Sequence, residues 1–146
     1  MSVTFPQGFS AAGVNAAISS NADKPDLALV VNNGPLSAAA GVFTSNRFCA
    51  APVVWSRAAV ADGTLVSVVL NSGGANACTG EAGYEQSRAT ARTMSSLLDV
   101  RPDEVAVCST GLIGELLPIE HVQEGVRKAF SVLDDGPEAG LDAARA

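Results

Sequence analysis

The residues with the most obvious chemistry are one histidine, three cysteines and two runs of small side chains. The histidine, His121, lies in Pro118-Ile-Glu-His-Val-Gln-Glu-Gly-Val-Arg-Lys-Ala-Phe130. There Ile119, Val122, Val126 and Phe130 recur at helical spacing, with Pro118 suited to a first turn. His121 falls off that stripe beside Glu120, so it is expected on a solvated face. A Ser-His-Asp or Cys-His mechanism would have to use this one residue; the base of any catalysis is therefore expected elsewhere. Cys49, Cys78 and Cys108 are odd in number and far apart, and no C-x-x-C occurs. Neither a zinc knuckle nor a thiol redox pair is available, and no metal site is expected. Their flanks are small or apolar, which predicts buried cysteines acting as small hydrophobes.

The small-residue runs are Asn71-Ser-Gly-Gly-Ala-Asn-Ala-Cys-Thr-Gly80 and Ser109-Thr-Gly-Leu-Ile-Gly114. Without side chains in the way, backbone N–H groups can approach a ligand oxygen or a developing oxyanion. A phosphate loop would need G-x-x-x-x-G-K-[ST], and the first run has no lysine; neither run has the G-x-G-x-x-G spacing. Gly111-Leu-Ile-Gly114 has the form of an RNA-clamping G-x-x-G, but Glu115 follows where basic flanks belong. An oxyanion hole built from the Thr110 hydroxyl and the Gly111 N–H remains, against the plainer reading of a tight turn.

The elements that must hold these loops follow from patterning. Leu27–Val31 reads as a strand ending at Asn32-Asn-Gly-Pro35, Ala38–Thr44 as a second and Pro52–Ser56 as a third. Ser56–Asp62 reads as a short helix. Leu65–Leu70 is nearly all apolar, predicting a strand buried on both faces. Glu81–Leu98 reads as a helix with Tyr84, Ala91, Met94 and Leu98 near one face, and Glu104–Cys108 as a buried strand. Strand, small-residue loop and helix thus occur twice, which predicts a layered α/β fold. Residues 134–146 read as a turn and the start of a helix.

The 146 residues suit one domain; 47% are hydrophobic and 16% charged, so a core is easily built. The net charge of −6 disfavours binding to nucleic acid or anionic lipid. No apolar run approaches the roughly 18 residues of a membrane span. The first residues do not read as a secretory signal, and cytoplasm is the expected compartment.

Asn71–Gly80 and Cys108-Ser-Thr-Gly-Leu-Ile-Gly114 with Leu117-Pro118 closely resemble two signature blocks of the ornithine acetyltransferase family, the glutamate N-acetyltransferases of arginine biosynthesis. Gly8-Phe9, Ala12-Gly13-Val14, Leu27-Ala28-Leu29 and Ala39-Ala40-Gly41-Val42-Phe43-Thr44 resemble its N-terminal part, so the likeness runs from about Gly8 to the last residue. The resemblance implies the layered α/β fold of the self-cleaving ornithine acetyltransferase and DmpA-like aminopeptidase type. It also implies a precursor that cuts itself into α and β chains assembled as an α2β2 heterotetramer. The β chain's N-terminal threonine would take acetyl from N-acetylornithine and pass it to glutamate, which removes the need for histidine. Bifunctional members also accept acetyl-CoA as a substrate; no cofactor is implied.

Carried over by position, Thr110 and Gly111 become the oxyanion hole. Asn76 is the polar residue of the first loop best placed to meet substrate, with packing as its plainer role. The family's α chain continues beyond Ala143–Ala146 through Met-Thr-Thr-Asp and Lys-Gly-x-Gly-Met stretches. The 146 residues are therefore expected to be a truncated α portion, inactive alone. The mean hydropathy of +0.24 agrees with a missing partner. The rival is a non-catalytic α/β module, or a gene fragment, that binds a small ligand or a protein partner.

Overall fold

The computed structural model describes residues 2–21 and 23–146. Four strands form one sheet in sequence order: β1 (Phe9–Val14), β2 (Leu27–Asn32), β3 (Ser67–Asn71) and β4 (Val105–Ser109). The first two pairings are antiparallel and β3–β4 is parallel, in register Ser67↔Val105 to Asn71↔Ser109. The parallel pair is joined by the long helix α2 (Gly80–Leu98), the crossover that such a pair requires. Helices α1 (Ala51–Ala59), α3 (Ile119–Ser131) and α4 (Pro137–Arg145) complete the fold.

Alternation along the strands separates two faces. Ala12, Val14, Leu27, Leu29, Val31, Val69, Val105 and Val107 point into the main core. There they meet Ala91 and Met94 of α2 and Val122, Val126 and Ala129 of α3. Full burial of side chains such as Leu27, Leu29 and Met94 stabilises by about 1.5–3 kcal/mol each. The opposite face is covered in part by α4, where Gly13 meets the Asp142 carbonyl. Val68 and Leu70 on that face are only half-buried, so the expected strand at Leu65–Leu70 forms but is buried on one face alone.

Two strands expected from sequence are absent. Ala38–Thr44 is irregular, with a single bridge from Ala38 to Thr64; Val42 stands fully in solvent, so the segment has no apolar face to set a register. Pro52–Ser56 is the first half of α1. Its valines suggest a strand, but Pro52 sits in the first helical turn and Pro52, Ser56 and Ala59 form a buried stripe. In turn β1 was not expected, because Phe9-Ser-Ala-Ala-Gly-Val has little strand propensity and is held by its pairing with β2.

Helix α1 closes the free edge of β4. The Trp55 indole N–H donates to the Val105 carbonyl at 2.9 Å. The Ser56 hydroxyl donates to the Val107 carbonyl at 2.7 Å and accepts the Val107 N–H at 2.8 Å. Two side chains thus do what a fifth strand would do, and only as far as Val107.

Candidate active site

Beyond their last paired residues, β3 and β4 run into the two small-residue loops, and the loops continue the ladder. Thr110 N–H donates to Asn71 O (3.0 Å), Leu112 N–H to Gly73 O (3.3 Å), Ala75 N–H to Leu112 O (2.8 Å) and Gly114 N–H to Ala77 O (2.8 Å). Even-numbered residues of the second loop therefore face the first loop. The Gly111 N–H takes no part in this ladder. Among the described residues neither the Gly111 N–H nor the Thr110 hydroxyl has a hydrogen-bond partner.

Gly111 is required by its surroundings. Its φ is +134°, and a Cβ there would run into the carbonyl carbon and oxygen of Gly73. Asn71 locks the seam from below: its Oδ1 accepts the Ser109 hydroxyl at 2.6 Å, and its Nδ2 donates to the Gly74 carbonyl at 3.2 Å. Neither Asn71 nor Ser109 was singled out from sequence. An asparagine at a strand end, just before a glycine pair, is the signal that could have marked the first.

The site opens on a cavity of about 230 Å³ lined by Leu70, Cys108, Ser109, Thr110 and Ala143, among others. No charged side chain lines it, so an oxyanion formed there would depend on hydrogen-bond donors. Loss of water around the Cys108 thiol pushes its pKa up, keeping it protonated at neutral pH. The expectation of buried cysteines does not hold: Cys78 and Cys108 are exposed and Cys49 half-buried. Cys78 lies in the first loop, and Cys108 points to the incompletely covered face of the sheet.

Asn76 is fully buried at 0% exposure. Its Nδ2 donates to the Gly83 carbonyl (2.9 Å) and meets Ser87 Oγ (3.3 Å), and its Oδ1 accepts the Thr79 hydroxyl (2.8 Å). It joins the loop to the first turns of α2 and lies apart from Thr110 and Gly111 in the cavity lining. His121 is exposed as expected, its Nδ1–H donating to the Ala17 carbonyl at 2.9 Å. No cluster of three His, Cys, Asp or Glu that could hold a metal occurs among the described residues.

A family model described as the ArgJ family matches residues 10–146. The chain belongs to the ArgJ family. The arginine biosynthesis bifunctional protein ArgJ of Bifidobacterium longum is 68% identical over 146 residues, covering 100% of this chain and 37% of that protein. An ornithine acetyltransferase from Mycobacterium tuberculosis, solved in complex with ornithine, superposes with a TM-score of 0.97 at 48% identity; the match covers 99% of this chain and 77% of that one. The ArgJ protein of Bacillus halodurans gives a TM-score of 0.92 at 32% identity, covering 100% and 74%. The resemblance read from the two sequence blocks and the α/β fold implied by it are thereby established. This ArgJ chain spans about 37% of the length of the curated relative from Bifidobacterium longum.

Proposed function

We propose that this chain supplies the oxyanion-stabilising half of an acetyltransferase that moves acetyl from N-acetylornithine to glutamate. The observation that carries the reading is the pair of donors, the Thr110 hydroxyl and the Gly111 N–H, which follow directly on β4 and have no partner among the described residues, with Thr110 lining the cavity at the strand's end. A threonine at the start of a β chain cut from the same precursor attacks the acetyl carbonyl carbon. The carbonyl electron pair moves onto oxygen, and the two donors hold the resulting anion. The threonine's own α-amine takes the hydroxyl proton and gives it to the ornithine nitrogen as collapse breaks the C–N bond and leaves acetyl-threonine. The glutamate amine then attacks, losing a proton, and a second oxyanion forms in the same place. Its collapse breaks the ester, releasing N-acetylglutamate and returning a proton to the threonine oxygen. No cofactor enters this cycle. Acetyl-CoA serves as an alternative donor in a bifunctional enzyme, α and β chains assemble as α2β2, and the cytoplasm is the compartment. Among the described residues, no helix is long and apolar enough to cross a membrane.

The test is T110A in the complete, processed enzyme. Loss of one such donor lowers kcat by about 10²–10³ with little change in KM, because the contact exists only in the transition state. An unchanged kcat would remove Thr110 from the mechanism.

A further inference from the structure

Behind the seam of the two loops lies a carboxylate that the proposed chemistry does not use. Asp26, just before β2, is 1% exposed and has no ion pair among the described residues. Its Oδ1 accepts the Ala16 N–H, and its Oδ2 accepts the N–H groups of Ile18 and Ser19, all at 2.7 Å. Hydrogen bonds to a carboxylate of this length are about twice as strong as neutral ones. The turn they hold contains Ala17 at φ +56°, a conformation that alanine does not keep unaided. The Asp26 carbonyl meanwhile accepts the Ser72 N–H at 2.9 Å. One residue therefore grips both the 16–19 turn and the start of the first loop.

The turn bears directly on the seam. Gly73 has φ +104°, and a Cβ on it would lie 3.0 Å from both the Cα and the N of Ser19. The backbones of Ser19, Gly73 and Gly111 are stacked without a side chain between them, and Ser19, Gly73 and Leu112 line one cavity of about 370 Å³. A shift of the turn must pass to Gly73, whose carbonyl takes the Leu112 N–H and abuts Gly111. We infer that Asp26 is a positioning residue for acetyl transfer: by pressing the 16–19 turn onto Gly73 it fixes where the Thr110–Gly111 donors point. This rests on the oxyanion reading above.

The experiment compares wild type, D26N, T110A and the double variant in the complete acetyltransferase. kcat and KM for N-acetylornithine and glutamate are measured well below the lowest melting midpoint of the set. D26N keeps the size of the side chain but turns an amide donor toward the N–H groups of the turn. Its kcat is expected to fall about tenfold to a hundredfold with KM within about twofold, the effect of a small misplacement of transition-state donors. In the T110A background the same substitution should cost a factor at least about threefold smaller, since both act on one constellation. An undiminished kcat in D26N, or an equal factor in both backgrounds, overturns the positioning role. T110A losing rate while D26N does not would sink this inference alone; T110A keeping full rate would sink the oxyanion reading and Asp26's role with it. Should D26N give no folded enzyme, G73A pushes the same turn from the opposite side and takes its place, with the same criterion of non-additivity.

Discussion

The two small-residue loops look alike in sequence and do opposite things. In Asn71–Gly80 the polar side chains are spent inside the protein: Asn71 ties the loop to Ser109 and Gly74, and Asn76 ties it to α2 with Thr79 in attendance. In Thr110–Gly114 every second N–H is used against the first loop, while the Thr110 hydroxyl and the Gly111 N–H have no partner among the described residues. Leaving donors without partners is tolerable only where water, or a ligand, can reach them. One loop is the bed, and the other, which carries the proposed donors, rests on it.

The largest effect expected from breaking this contrast is at Gly111. G111A drives a Cβ into the Gly73 carbonyl and must part the two loops. In the complete enzyme kcat should fall by about 10²–10³, as for loss of an oxyanion donor; steady-state kinetics on folded material would read it, and a loss under tenfold would mean that the seam is not what aims the donors. N76A sharpens the comparison from the other side. It removes the side-chain hydrogen bonds that a fully buried residue makes to Thr79, Gly83 and Ser87 and leaves a void in their place, at a cost of about 1–3 kcal/mol in stability by denaturant titration. The kcat per folded molecule should stay within about threefold; a large fall with stability unchanged would make Asn76 a substrate contact after all. The smallest effect is chemical. With its thiol pKa raised by desolvation, Cys108 carries less thiolate at pH 7.5 than free cysteine does and should react more slowly with iodoacetamide, its rate rising only at higher pH. Peptide mapping by mass spectrometry checks this, and labelling at the free-cysteine rate would contradict it.

Long periodic elements were legible in the sequence. The α2 and α3 helices and the cores of β2, β3 and β4 carry their apolar patterns on their own residues, with ends displaced by one or two positions. What depended on a neighbour was not legible. Nothing in Phe9–Val14 announces a strand until β2 lies beside it, and the valines of α1 mislead until Trp55 and Ser56 are seen to close the edge of β4. At the candidate site, Thr110 and Gly111 could be named from residue types and from family resemblance, but that the Thr110 hydroxyl and the Gly111 N–H have no partner among the described residues shows only in three dimensions. Asp26 was invisible for the same reason. Its three partners lie within ten residues of it in sequence, yet its consequence is felt at Gly73 and Gly111.

The most direct test of the account is a crystal structure of the complete protein with an uncleavable tetrahedral mimic, a methylphosphonate ester, on the threonine proposed as its nucleophile. The account predicts one oxygen of the mimic about 2.7–3.1 Å from both the Gly111 nitrogen and the Thr110 Oγ. An oxygen held by other donors, with Thr110 and Gly111 facing solvent, would contradict it.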